Sequence, residues 1–277
     1  MEKCGLKAKN EMSEFFLELF SEEIPASLQN KARSDLRFIF EDFFSNQKIC
    51  TEKKCQVFST PNRLVVYCNG INKEILQDSA EIRGPNTKAP EEALKGFLKS
   101  NQIEKKDIYE KKTEKGVFYF YKRPKKIIKT EDILNEQLPI ILAKLKWPKS
   151  MKWGNYSLFW GRPLKSILAL FNGKTLKFNF HHLVSSNTTF IDKDFEEKKK
   201  SFKNFKSYIS FFTKANIIID NNLRRKKIEN ELTKYSKKRN LRLNIDQKLL
   251  TEVSDIVEKP IIIPCSFDER FLSIPRE

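Results

Sequence analysis

The chain has 277 residues, enough for one large domain or two smaller ones around a buried core. Lys and Arg outnumber Asp and Glu 53 to 36, a net charge of +17, which favours a polyanionic partner, nucleic acid first among them. No apolar run reaches the roughly 18 residues of a membrane span, and with 8 Gly and 11 Pro the composition argues against low-complexity linkers.

Residues 1–12 have no apolar core of the secretory kind and read as a disordered leader. Phe15 to Phe20 (FFLELF) reads as a short buried strand. Glu22, Glu23 and Pro25 then suit the start of a helix, since acidic residues favour its positive end and Pro fits its first turn. Leu28, Ala32, Leu36, Ile39, Phe40 and Phe43 form its apolar stripe. Gln56 to Ser59 and Leu64 to Cys68 read as strands about the turn Thr60-Pro61-Asn62. Arg83 to Asn86 reads as a loop, Glu91 to Lys99 as a helix, and Val117 to Tyr121 as an aromatic strand. Glu131 to Leu145 is expected as a helix despite Pro139.

Trp147 to Gly154 (WPKSMKWG) gathers two of the three Trp of the chain, and Gly161-Arg162-Pro163 follows it. Ser166 to Phe171 and Thr175 to Phe180 flank Asn172-Gly173, the best hairpin signal present. Near Asp192 the composition turns basic: from Lys193 to Arg242, sixteen Lys and Arg face six Asp and Glu. Phe202, Phe205, Ile209 and Phe212 make one stripe, Leu223 to Tyr235 and Ile245 to Val253 read as helices, and Ile217 to Ile219 as a short strand. Val257 to Ile263, interrupted by Pro260, suits an edge strand. Hairpins and helices without regular alternation imply an α+β fold, with mixed sheets and packed helices over 13–191 and a basic, mostly helical segment over 192–277.

A self-contained active site is not expected. There is no Gly-rich phosphate loop. The two His, His181 and His182, are adjacent and would point to opposite faces of a strand, so without other ligands they make no joint metal site. No Ser or Cys stands in a nucleophile setting. The five Cys match no metal or redox spacing and read as reduced thiols. What remains is basic and aromatic. Lys149, Lys152 and Arg162 lie around Trp147, Trp153 and Trp160, where cations can meet phosphate and aromatic rings can stack on unpaired bases. The tryptophans are expected chiefly as core, and Arg162 reads equally as a contact or a structural residue. The run from Arg224 through Arg225 to Lys227 is either a phosphate-contacting face or the wet side of a helix.

Several blocks together carry a resemblance: FFLELFSEEIPA (Phe15 to Ala26), TPNRL (Thr60 to Leu64), RGP (Arg83 to Pro85), WPKSMKWG with Arg162-Pro163, LLTEVSDIVEKP (Leu249 to Pro260) and SFDERFLSIP (Ser266 to Pro275). In that order they resemble the beta subunit of bacterial heterotetrameric glycyl-tRNA synthetase, in its N-terminal part. Two stretches depart from that pattern: Leu164 to Ser166 replaces an aromatic strand, and Ser185 to Asp192 replaces a Gly-His-Arg stretch. The resemblance implies a cytoplasmic aminoacyl-tRNA synthetase of alpha-2 beta-2 form, a ligase joining glycine to tRNA(Gly) for protein biosynthesis. ATP, with Mg, would bind the alpha subunit; this chain would bind no cofactor or metal and hold no catalytic residue. Its part would be to bind and position the tRNA, with Arg63, Lys149, Lys152, Arg162, Arg224 and Arg225 as candidates for RNA or partner contact. A non-catalytic RNA-binding fragment and a decayed remnant without a ligase role are the other readings.

Overall fold

The computed structural model describes residues 12–77, 79–191 and 199–273, and the chain divides into two compact units. The larger comprises residues up to Asn72 and from Leu134 onward; the smaller is Lys73 to Ile133. The larger unit begins with β1 (Met12–Ser21), α1 (Ala26–Asn46), β2 (Gln56–Thr60) and β3 (Arg63–Asn72). The smaller holds β4 (Glu74–Gln77), β5 (Ala80–Asn86), α2 (Glu91–Asn101), β6 (Ile108–Thr113), β7 (Gly116–Arg123) and β8 (Lys126–Lys129). Helix α3 (Thr130–Ala143) crosses the boundary of the units and contains Pro139, as expected. The larger unit continues with β9 (Met151–Lys152), β10 (Phe159–Trp160), β11 (Leu164–Phe171), β12 (Lys174–Thr175), β13 (Asn179–Phe180), β14 (Leu183–Ser186), β15 (Thr188–Phe190) and β16 (Lys199–Ser201). It closes with α4 (Phe205–Lys214), α5 (Asn221–Lys238) and α6 (Gln247–Ile256). This is an α+β arrangement.

The main sheet has the order β13-β14-β11-β1-β3-β2, with β12 also paired to β11. All its pairings are antiparallel except β11 with β14. Strand β1 lies in the middle and is apolar on both faces because both are covered. Phe15 packs on α1, its ring 5.4 Å from that of Phe40. One residue on, Phe16 turns to the other face and meets Tyr208 of α4 at 4.6 Å. The period of two along the strand thus sends successive side chains into two different packing layers. Glu18 shares the face of Phe16, so a carboxylate is carried into the interior.

Local chemistry explains the turns. Asn172 and Gly173 have φ of +50° and +75°, the left-handed pair that a two-residue hairpin turn requires. In the smaller unit β5, β7 and β6 form an antiparallel sheet, β4 pairs with β8, and α2 packs Phe97 so closely on Gly84 that an added Cβ would lie 2.9 Å from the ring. No residue of α2 is fully buried, so this unit has a thin core.

Several expectations are corrected. Ile217 to Ile219 and Val257 to Ile263 are not strands: one backbone bond, from Ile218 N–H to Glu258 O at 3.1 Å, joins them. Pro260 and Pro264 cannot donate to a ladder. Arg83 to Asn86 belongs to β5, where the register shifts, rather than to a loop. Cys55 and Cys68 are joined in a disulfide, with Cα atoms 4.7 Å apart, because they continue the Gln56–Tyr67 register across β2 and β3. They are therefore not the reduced thiols expected. Asp192, where the composition changes, and residues 1–11 of the expected leader lie outside the described residues.

Candidate nucleic-acid interface

The Trp-rich stretch is a packed loop with a cationic outer edge. Its two short strands β9 and β10 pair Lys152 with Phe159 and Met151 with Trp160. Trp160 is buried, its ring 5.5 Å edge-on to Trp147 and 5.8 Å edge-on to Phe180. Trp153 donates its indole N–H to the carbonyl of Trp160 at 3.0 Å. Gly161 is required by this packing: a Cβ there would lie 2.6 Å from the Trp147 ring. Gly154 turns the hairpin with φ +59°. Of the tryptophans expected chiefly as core, Trp160 alone is buried; Trp147 and Trp153 are half-buried and shape the loop around it.

The two histidines sit at the turn between β13 and β14, not on a strand, and each holds this loop. His181 Nδ1 is 3.0 Å from the Ser157 hydroxyl. His182 stacks flat on Tyr156, with centroids 3.6 Å apart and planes 7° from parallel. Desolvation holds the His182 pKa below its ordinary 6.5, and His181 adds to that. Beside it lies a hollow of about 610 Å³ lined by Trp153, Tyr156, Leu158, Lys165 and His182. Tyr156 and Phe159 remain about half exposed or more, at 51% and 62%. Lys149 and Lys152 are exposed and have no carboxylate partner among the described residues. Free cations beside exposed aromatic rings, one face of Tyr156 being taken by His182, are what an unpaired nucleic-acid strand can use: phosphate meets the ammonium groups and bases stack on the rings.

The arginines divide differently. Arg162 is half-buried and donates its Nε–H to the carbonyl of Glu23 at 3.0 Å, which ties the loop to the chain before α1. Arg225 is half-buried and donates to the Gln247 side chain. Arg63 and Arg224 are completely buried, so neither has surface to offer a partner, a correction to their place among the candidate contacts. Arg63 bonds Glu258 Oε1 at 2.6 Å and the Phe190 carbonyl, and its Nε lies 3.4 Å from Glu18 Oε2, an ion pair without hydrogen-bond alignment. Phe20 and Phe212 face its guanidinium at 4.7 and 4.8 Å. Burial alone would lower its pKa, but Glu258 and Glu18 outweigh it and the group ends above its usual value. Glu18 accepts from Thr189 and Tyr208, yet burial outweighs Arg63 and raises its pKa. Arg224 donates to the carbonyls of Ser254, Ile218 and Ser59.

The acidic half of this network has almost no mark in the sequence. A lone Glu18 inside FFLELF was the available signal, since a carboxylate in an apolar strand needs a partner. Its partners, Arg63 and Tyr208, come from distant parts of the chain and carry no local mark.

A family-model match over residues 15–277 places the chain among subunits of aminoacyl-tRNA synthetases. More narrowly, the chain belongs to the glycyl-tRNA synthetase beta subunit family, whose model matches residues 15–277. It is 35% identical over 266 residues to a glycine–tRNA ligase beta subunit of Rickettsia bellii, covering 96% of this chain and 40% of that protein. The beta subunits of Rickettsia prowazekii and Rickettsia akari are 34% and 33% identical over the same shares. The chain spans about 40% of the length of these relatives.

Proposed function

We propose that this chain serves glycyl-tRNA synthesis as the N-terminal part of a glycine–tRNA ligase beta subunit, binding tRNA(Gly) and positioning it for an alpha subunit. The observation that carries this is family membership over residues 15–277. The exposed Lys149–Lys152 edge beside Tyr156 and Phe159 supports an RNA-facing loop. In this reading ATP and Mg bind the alpha subunit of an alpha-2 beta-2 assembly, and the reaction takes place in the cytoplasm. This chain contributes placement rather than chemistry: holding the tRNA end near the adenylate turns an encounter of two molecules into a step within one complex. Among the described residues no helix is long and apolar enough to cross a membrane.

The test is binding of tRNA(Gly) to the purified chain over a range of salt. Neutralised phosphates release counterions, so affinity should fall steeply with salt. Lys149→Ala with Lys152→Ala should weaken binding and flatten that slope by about 1 per lysine lost. An unchanged slope overturns phosphate contact at this loop. Salt-sensitive binding with no effect on charging would favour a non-catalytic RNA-binding fragment, and neither binding nor charging would favour a remnant.

A further inference from the structure

A second cationic site lies where α1, α5 and α6 meet. A hollow of about 370 Å³ is lined by Arg33 and Arg37 of α1, Asn222 and Arg225 of α5, and Asp255 of α6, among others. Three guanidiniums thus face one carboxylate. That carboxylate is already engaged: Arg33 bonds both Asp255 oxygens at 3.1 and 3.2 Å, and Arg224 beneath lies 3.7 Å from Oδ1. Arg33 and Asp255 are fixed further, Arg33 by the Ser59 hydroxyl and Asp255 by the donation of Gln29 to its backbone carbonyl at 2.6 Å. The floor is therefore rigid and positively biased. At the rim Arg37 is exposed with no ion-pair partner among the described residues, and Arg225 is held only by a neutral amide.

The surrounding groups sharpen the imbalance. Asp220 caps α5, accepting from Asn222 N–H at 2.8 Å, and Glu258 is taken by Arg63. Glu252 lines the neighbouring hollow, which also carries Lys248. Burial pushes the Arg224 pKa down to about 10, and Arg33 nearby adds to this despite Asp255 and Glu258. Cations crowded at low dielectric gain from an anion more than surface cations do. A guanidinium fork matches two oxygens of a phosphate at once, and the lining has two such forks, Arg37 and Arg225, without acidic partners.

We infer that this hollow binds a phosphate group between Arg37 and Arg225 over the Arg33–Asp255 floor. The phosphate comes from an RNA backbone or from free phosphate; for the RNA source the inference rests on the function proposed above, which it extends to a second contact surface distinct from the Trp loop. The test uses the full chain, with Arg37→Gln plus Arg225→Gln, a 12-base-pair RNA duplex and inorganic phosphate. If the source is RNA, the double variant binds the duplex about tenfold more weakly, with a salt slope shallower by about 2. If the source is free phosphate, phosphate raises the melting temperature of the unmodified chain and not of the variant, and duplex binding is unchanged. Should the double variant melt early by itself, Ser34→Glu decides, because it sets a carboxylate at the exposed mouth and leaves every arginine in place. Variants that match the unmodified chain in duplex affinity and in phosphate-dependent melting overturn the site. Lys149→Ala plus Lys152→Ala, measured alongside, keeps the two surfaces apart: loss there alone leaves the Trp loop standing and removes the hollow.

Discussion

The buried network around Arg63 and the Trp-rich loop draw on the same residue types and use them in opposite ways. In the network, cations are enclosed by carboxylates, carbonyls and rings, with Arg63, Arg224 and Glu18 all fully buried. In the loop, tryptophans are packed inward so that Lys149 and Lys152 stay outside, exposed and unpaired by carboxylates among the described residues. Enclosed charge makes the fold intolerant of substitution at that point. Exposed charge leaves the fold indifferent and the surface available. The basic balance of the chain is therefore two populations, and only one can meet a partner.

The contrast can be broken most sharply at Arg63. Arg63→Met leaves Glu18 and Glu258 without their cation, and removal of one member of a buried pair costs about 3–5 kcal/mol. Urea unfolding should show that loss; a change below about 1 kcal/mol would mean the network is not a structural centre. Gly161→Ala forces a methyl group against the Trp147 ring, an overpacking cost of about 1–3 kcal/mol. Its melting curve should show that cost, while tRNA binding per folded molecule weakens as Trp147 and the loop shift. Glu18 makes the buried network sensitive to pH. Its folded pKa is raised above 4.5, so its contribution is fully present below that value and declines as pH rises through the raised one. Stability measured upward from pH 4.5 should fall less steeply in Glu18→Gln than in the unmodified chain, and parallel profiles would remove Glu18 as the titrating group. Smallest in stability is Lys149→Ala with Lys152→Ala, within about 0.5 kcal/mol, because exposed charges without partners hold little together. A larger loss would show that these lysines are structural after all.

The elements with strong local signatures were legible in the sequence. The stripe from Ala32 to Phe43 gave α1, and Asn172-Gly173 gave the turn between β11 and β12. The α+β class followed from them. What was not legible depended on distant partners. Ile217 to Ile219 is apolar and β-branched, yet among the described residues one backbone bond, from Ile218, reaches the 257–263 stretch, which Pro260 interrupts. Arg63 and Arg224 sit in ordinary polar contexts, a turn and a basic run, and only the tertiary fold encloses them. The Trp loop was found by composition, since rare residues were concentrated there. The hollow beside it depends on Tyr156 stacking on His182, residues 26 positions apart with no shared motif. In the arginine hollow Arg37 and Arg225 come from α1 and α5, so their meeting had no mark in the sequence.

The most direct measurement is glycine charging of tRNA(Gly) by a purified alpha subunit, with and without this chain. A clear rise on addition, abolished in Lys149→Ala plus Lys152→Ala, is the result predicted for a positioning component that meets the tRNA at the Trp loop. No rise, with the same alpha subunit active beside a full-length beta subunit, would contradict that account.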